Sequence, residues 1–206
     1  MTDRNALRIV EDADETPAWR QERRARIVSA AMELFGREPY AAVQMDDIAR
    51  VAGVGKPTLY RYFPAKDALF LAASDHVLAE LEAELTAALA VTRPAEETLA
   101  DMIHLIMARF STQLSALGLL GGEQPGLADR TRRLFGERRH TLIGLLRRVL
   151  RRGRESGVFR DLDEEATAPM LIGVIRGGLL GASDLPVTRM AEAAVALVLR
   201  GTLKSL

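Results

Sequence analysis

The amino-acid sequence predicts an all-α protein with a small N-terminal unit and a larger C-terminal helical bundle. Ala, Leu, Arg and Glu dominate the composition and aromatic residues make up only 5% of it, which favours helices over strands. Apolar residues recur at spacings of three and four, and no segment shows the alternation of β-branched residues that is typical of strands. With 48% hydrophobic content in 206 residues, the chain can bury one sizeable core or two small ones.

The helices are predicted from these apolar repeats and from the residues that interrupt them. Residues 1–17 are polar and show no helical or strand-like spacing of apolar residues, and they are expected to form an arm. The first helix is expected to begin near Ala18 and to end at Gly36. Seven more helices are predicted, over about 45–52, 56–62, 65–90, 94–117, 128–156, 164–180 and 187–203. Helix-breaking residues predict loops at 118–126 and 182–186.

The charge of the whole chain is zero, with 28 basic and 28 acidic residues, but it is unevenly distributed. Residues 18–66 hold nine basic and five acidic side chains, an excess that suits a small surface in contact with phosphate. The chain has no cysteine, which excludes disulfides and thiolate metal sites and is typical of a reducing cytoplasm. An acidic N-terminus and the lack of a long apolar run predict a soluble cytoplasmic protein with no membrane contact.

Residues 45–64 have the features of two helices that meet at a steep angle across a tight turn. Gly53 can adopt the positive φ that such a turn needs. Ala49 is small where the two helices touch, and Pro57 falls in the first turn of the second helix, where no N–H is required. Apolar side chains at positions 48, 54 and 59 are spaced to fill the angle between the helices. Together these residues predict a helix-turn-helix.

The outward face of the second of these helices is polar and partly aromatic. Its side chains can hydrogen-bond to bases and phosphates, on a helix slim enough for the major groove of DNA. Lys66, at the start of the next helix, is suited to a phosphate contact as a point charge. The alternative is an ordinary helical hairpin with a solvated face. The predicted DNA-contacting residues are Lys56, Pro57, Thr58, Tyr60, Arg61, Tyr62 and Lys66.

The stretch from Arg24 to Leu71 resembles the DNA-binding domain of the TetR family of bacterial repressors. The matching run is IARVAGVGKPTLYRYFPAKDALF, preceded by RIVSAAMELFGREPYAAVQMDD. The resemblance implies a dimer that binds a palindromic operator, represses transcription and is released by a small-molecule ligand. It also implies base or phosphate contacts from Lys56, Thr58 and Tyr60, and phosphate contacts from Tyr62 and Lys66.

Three positions depart from the pattern of that family. Gln44 and Gly55 stand where the second and third helices usually have hydroxyl N-caps, and Ala65 replaces a residue that is often Ser. Each change weakens a helix cap by about 0.5–1 kcal/mol. The surface chemistry of the helix-turn-helix is unchanged by them.

The resemblance divides the chain into an arm (1–17), a helix-turn-helix domain (18–66) and a ligand-binding and dimerisation domain (67–206). Residues 164–203 are predicted to form a homodimer interface, because the first of their two helices holds four glycines that a closely packed second backbone would explain. The alternative is that both helices pack only within one chain. Pro169 either kinks the first of these helices or marks its start.

A small-molecule effector is expected to bind among the central helices, although the same residues could form an ordinary core. We predict no cofactor, metal or catalytic site, since the three histidines are far apart and no catalytic motif is present. The candidate ligand-binding residues are Met102, His104, Met107, Phe110, Ser111, Phe135 and His140.

Ten arginines lie between Arg130 and Arg154, with Glu137 as the single acidic residue among them. Since they surround a leucine-rich stripe, we interpret them as a solvated helix face whose stems cover apolar surface. An anionic ligand or a second nucleic-acid surface is the alternative.

Two other functions remain open at this stage. One is a DNA-binding repressor that needs no ligand or is controlled by a partner. The other is a helical enzyme, which no residue of the sequence supports.

Overall fold

The computed structural model describes residues 17–111, 125–181 and 185–203. These residues form helices joined by short loops and contain no strand, only an isolated bridge between Phe159 and Leu203, which confirms the predicted all-α class. The helices are α1 (Ala18–Arg37), α2 (Met45–Val51), α3 (Lys56–Tyr62), α4 (Lys66–Ala90), α5 (Ala95–Arg109), α6 (Pro125–Glu155), α7 (Glu164–Gly181) and α8 (Val187–Thr202).

The predicted helix bounds differ from the observed ones at a few ends. Gly36 does not end α1, which continues to Arg37. Within the described residues, helix α6 runs from Pro125 rather than from near residue 128. Pro169 lies inside α7, which begins at Glu164, so it does not mark the start of that helix. The predictions for 1–16, 112–124 and 182–184 fall outside the described residues.

A first hydrophobic core joins α1, α2, α3 and the start of α4. At its centre Phe35 packs against Phe70 edge to face, with their ring centroids 5.1 Å apart, and Tyr40 contacts both rings. The aliphatic side chains around them include Ile27, Ala31, Ile48, Leu59, Leu69 and Ala73. This core extends along α4 past residue 66. The division of the chain into domains at that residue remains a prediction.

A second, larger core lies among α4, α5, α6, α7 and α8. Leu81 and Leu85 bring the later part of α4 into it. Its other fully buried members include Leu99, Met102, Ile103, Met107, Leu146, Val149 and Leu150. Helix α4 therefore belongs to both cores, and its 25 residues span both of them.

Arg138 of α6 holds α4 between the two cores. Its Nε and Nη2 atoms donate to Asp75 Oδ1 at 2.8 and 2.5 Å, and its Nη1 atom donates to Glu82 Oε2 at 2.8 Å. The side chain of Arg138 is 27% exposed, and its bonds to Asp75 and Glu82 raise its pKa above the ordinary value. We call this group of three residues the α4–α6 clamp.

The end of α6 is shaped by two glycines. A Cβ at Gly153 would lie 2.1 Å from the ring of Phe159, so only glycine lets that ring pack on the helix. Gly157 has a φ of +74°, the left-handed conformation that ends a helix. The turn that follows brings the backbone N–H of Arg160 to the carbonyl of Thr202 at 2.9 Å, which ties the end of α8 to the end of α6.

The junction of α6 and α7 is closed by an ion-pair group around Glu164. The Nε atoms of Arg151 and Arg154 donate to its two carboxylate oxygens at 3.0 and 2.9 Å. Burial alone would raise the pKa of Glu164, but the two arginines outweigh burial and lower it below its usual 4.5. The ionised form of Glu164 therefore stabilises the folded protein.

We expect Glu164→Gln to lower the free energy of unfolding by about 1–2 kcal/mol at pH 7, because two charge-assisted hydrogen bonds to half-exposed arginines are weakened. A group whose pKa is lowered on folding stabilises the protein above its unfolded pKa and loses that effect as pH falls through the folded value. Chemical denaturation should therefore show the two proteins converging below about pH 4.5.

Glu38→Gln is the matched control, since Glu38 is exposed at the end of α1. It should leave stability unchanged at both pH values. A deficit of Glu164→Gln that is the same at pH 3 and at pH 7 would contradict the ion-pair account.

Candidate nucleic-acid interface

The turn between α2 and α3 has the backbone that the sequence predicts. Gly53 has a φ of +64°, which confirms the expectation of a positive φ. Its N–H donates to the carbonyl of Arg50 at 3.2 Å, and the N–H of Val54 donates to that of Ala49 at 3.0 Å. These bonds fix the chain direction between the two helices.

Packing rather than capping holds the two short helices. Ile48 and Leu59 are fully buried in the first core. The N-caps of α2, α3 and α4 are Gln44, Gly55 and Ala65, and none of them makes a side-chain cap bond. The three helices therefore begin without the side-chain caps whose absence the sequence indicates.

Helix α3 presents a polar face to the surface. Lys56, Tyr60 and Arg61 are exposed, and Tyr60 is 46% exposed although it is aromatic. Thr58 and Tyr62 are partly exposed. We call these five residues the α3 face.

Lys56 is the member of the α3 face with a charged partner in the protein. Its Nζ atom lies 2.5 Å from Asp46 Oδ2 of α2, and this contact raises its pKa. Both side chains are more than half exposed, so water and salt weaken the pair. A phosphate group could replace Asp46 as the partner of Lys56 at small cost.

Lys66 is placed differently from the α3 face. Its Nζ atom donates to the carbonyl of Val43 at 2.6 Å and to that of Ala41 at 3.4 Å, and lies 4.3 Å from the centre of the Tyr40 ring. Burial lowers its pKa. The structure therefore shows Lys66 bracing the loop between α1 and α2, and its phosphate contact remains a prediction.

Tyr40 and Asp67 complete this brace, although no pattern in the sequence predicts a role for either residue. The Tyr40 hydroxyl donates to Asp67 Oδ1 in the first turn of α4. Burial and this hydrogen bond both raise the pKa of Tyr40. The two residues are 27 positions apart in the chain, so only the fold reveals the contact.

Helix α1 also contacts the end of α3. The guanidinium carbon of Arg24 lies 5.3 Å from the centre of the Phe63 ring, a cation–π distance. Phe63 is buried and directly follows α3. Arg24 is thus part of the surface beside the α3 face.

The structure brings together only some of the predicted ligand-binding residues, since Phe110 packs against the core that holds Met102 and Met107. Met102 and Met107 are fully buried in the second core. His104 and His140 are exposed, and each places its Nδ1 atom near a carbonyl one turn back in its own helix. The remaining three are partly exposed near the end of α5 and on α6: Phe110, Ser111 and Phe135.

The described residues offer neither a cluster of metal ligands nor a membrane-spanning helix. No cluster of three or more potential metal ligands occurs within them. None of the helices described here is long and apolar enough to cross a membrane.

The sequence and the fold are similar to those of known proteins. The family model "Bacterial regulatory proteins, tetR family" matches residues 27–73, which include the helix-turn-helix. The HTH-type transcriptional regulator BetI of Brucella anthropi is 31% identical over 182 residues, 85% of this chain and 89% of that protein. The HTH-type transcriptional repressor NicS of Pseudomonas putida is 28% identical over 145 residues, 67% of this chain and 66% of that protein.

Solved structures share the fold at lower sequence identity. A transcriptional regulator from Saccharomonospora viridis in complex with choline has a TM-score of 0.71 and 22% identity, and covers 90% of this chain and 100% of its own. FadR from Bacillus subtilis in complex with stearoyl-CoA has a TM-score of 0.68 and 19% identity, covering 86% and 98%. The chain therefore belongs to the TetR family, and it is a transcriptional regulator with an N-terminal helix-turn-helix rather than an enzyme.

Proposed function

We propose that this regulator is a repressor that binds a palindromic operator as a homodimer, through the α3 face. The observation that carries the proposal is the α3 face itself, since hydrogen-bonding side chains project from a helix whose other side is fixed in the first core. An α-helix of this kind fits the major groove of DNA. Two copies would lie about 34 Å apart, one turn of the double helix.

The chemistry of each side chain indicates which part of the DNA it would contact. Thr58 and Tyr60 carry hydroxyl groups that can bond to base edges or phosphates. Lys56 and Arg61 supply positive charge for the DNA backbone, and Lys56 would exchange Asp46 for a phosphate. Tyr62, Pro57 and Lys66 complete the proposed set at the two ends of α3 and at the start of α4.

Two observations support a dimer through α7 and α8. Met170 and Leu197 are 68% and 62% exposed, the two highest values among the large hydrophobic side chains of the described residues. A Cβ at Gly173 or Gly177 would meet nothing within 4 Å in this chain. The chain's own packing therefore gives no reason for those glycines, whereas the close approach of a second copy would.

We infer that a small molecule controls the DNA affinity, as suggested by the neighbours solved with choline and with stearoyl-CoA. The ligand would bind in the C-terminal part and shift α4, which joins both cores, with a coupling of about 1–3 kcal/mol. The tight burial of Met102 and Met107 favours the second candidate, a repressor controlled without a ligand. Melting temperatures measured with a panel of metabolites distinguish the ligand-controlled repressor from the ligand-independent one, because a bound ligand raises the melting temperature.

Tyr60→Ala should weaken binding to an operator selected from random DNA by roughly tenfold or more, because a direct contact to bases or phosphates is lost. Lys56→Gln should lower the slope of log affinity against log salt by about one, because one phosphate contact is lost. Fluorescence anisotropy at several salt concentrations measures both effects.

Arg148→Gln is the control for these variants, as Arg148 is exposed on α6. It should bind the operator as the wild type does. Wild-type affinity and salt slope in both α3 variants would overturn the assignment of the α3 face.

Leu197→Asp should convert a dimer into a monomer, since it places a charge in the proposed apolar interface. Sedimentation velocity at micromolar concentration measures the change, and circular dichroism shows whether the monomer keeps its helices. Val91→Asp is the control, because Val91 is 50% exposed at the end of α4. A wild type that sediments as a monomer, or a Leu197→Asp variant that stays dimeric, would refute this interface.

A further inference from the structure

The arginines of α6 fall into two groups, a distinction that the solvated helix face expected from the sequence does not make. Six bond to other residues, several of them on other helices: Arg132, Arg138, Arg147, Arg151, Arg152 and Arg154. Four are exposed and have no partner among the described residues: Arg130, Arg133, Arg139 and Arg148. All of the first group except Arg132 tie α6 to neighbouring helices, whereas packing gives no explanation for the second group.

Two arginines of the second group line a common groove. Arg130 and Arg133 lie one turn apart near the start of α6, beside a groove of about 400 Å³ between α4 and α6. Leu71 of α4 and Leu134 of α6 supply apolar surface to the same groove. A volume of this order suits a small organic ligand.

The carboxylates that line this groove do not neutralise the two arginines. Asp75 is engaged by the α4–α6 clamp, where its Oδ1 atom accepts two hydrogen bonds from Arg138. Glu137 is exposed and forms no ion pair with Arg133, although it lies four residues further along the helix. Two guanidinium groups, each with several N–H donors and no acceptor, are left to face the groove.

We propose that this groove binds a small anion with a carboxylate or phosphate head and a short apolar tail. The head would bond to Arg130 and Arg133, whose planar groups match either anion in a bidentate way. The tail would cover Leu71 and Leu134. The site is separate from the residues predicted earlier to bind an effector, and it does not depend on DNA binding.

Because of the position of the groove, a bound anion could affect the packing of the helix-turn-helix. Leu127, at the start of α6, is buried in the first core, and Leu71 packs against the same core from α4. A ligand held between these two helices therefore contacts the helix-turn-helix core and the clamp at once. It would stabilise the α4–α6 packing seen here by mass action.

Titration calorimetry with octyl phosphate, octanoate and octanol tests the site, each below its critical micelle concentration. The wild type should bind one or both anions and should not bind octanol. The double variant Arg130→Gln, Arg133→Gln should bind the anions at least tenfold more weakly, because charge-assisted bonds are lost. Binding of octyl phosphate alone would identify a phosphate head, and binding of octanoate alone a carboxylate head.

Two further variants make the test specific to this groove. Arg139→Gln removes another unpaired arginine of α6 that does not line the groove, and should bind as the wild type does. Glu137→Gln removes the nearby negative charge and should bind the anions more tightly. The proposal is overturned if neither anion binds, if octanol binds equally well, or if the double variant and Arg139→Gln bind alike.

Discussion

The α4–α6 clamp is the interaction on which the two halves of this molecule depend. Phe70 of α4 packs in the first core and Leu85 in the second, so a movement of α4 would change the packing of both cores. Arg138 fixes α4 through two carboxylates about two turns apart, at a depth where its guanidinium is largely shielded from water. Charged hydrogen bonds of this kind have a defined geometry, so they favour one register of α4 over its neighbours. The proposed anion site lies beside the clamp, at the point where such a register could be altered.

The helix-turn-helix is stabilised by tertiary contacts rather than by its own helices. Helices α2 and α3 have seven residues each and lack side-chain caps, so neither would be stable alone. The brace described above compensates for this, through the hydrogen bonds of Lys66 to the preceding loop and the bond from Tyr40 to Asp67. Lys66 and Asp67 both lie in the first turn of α4. The orientation of the α3 face is thereby linked to α4, the helix that the clamp holds.

The sequence predicts local features of this fold well and distant contacts poorly. The positive φ of Gly53 and the placement of the α3 face follow from spacing and from backbone preferences within a few residues. The partners of Lys66 and Arg138 lie 23 to 63 residues away in the chain, so periodicity alone cannot reveal them. Spacing also does not reveal that His104 and His140 are exposed, each with its Nδ1 atom near a carbonyl of its own helix. Arginines with and without partners look alike in a sequence, and only the contacts made in the fold separate them.

The stoichiometry of the complex with DNA tests the central claim most directly. Sedimentation of the full chain with a palindromic operator, selected from a random DNA pool, measures how many copies bind each duplex. The account predicts two copies per duplex, with half-sites centred about 10–10.5 base pairs apart or a multiple of that, and much weaker binding to a single half-site. One copy per duplex, or equal affinity for the half-site and the palindrome, would contradict it.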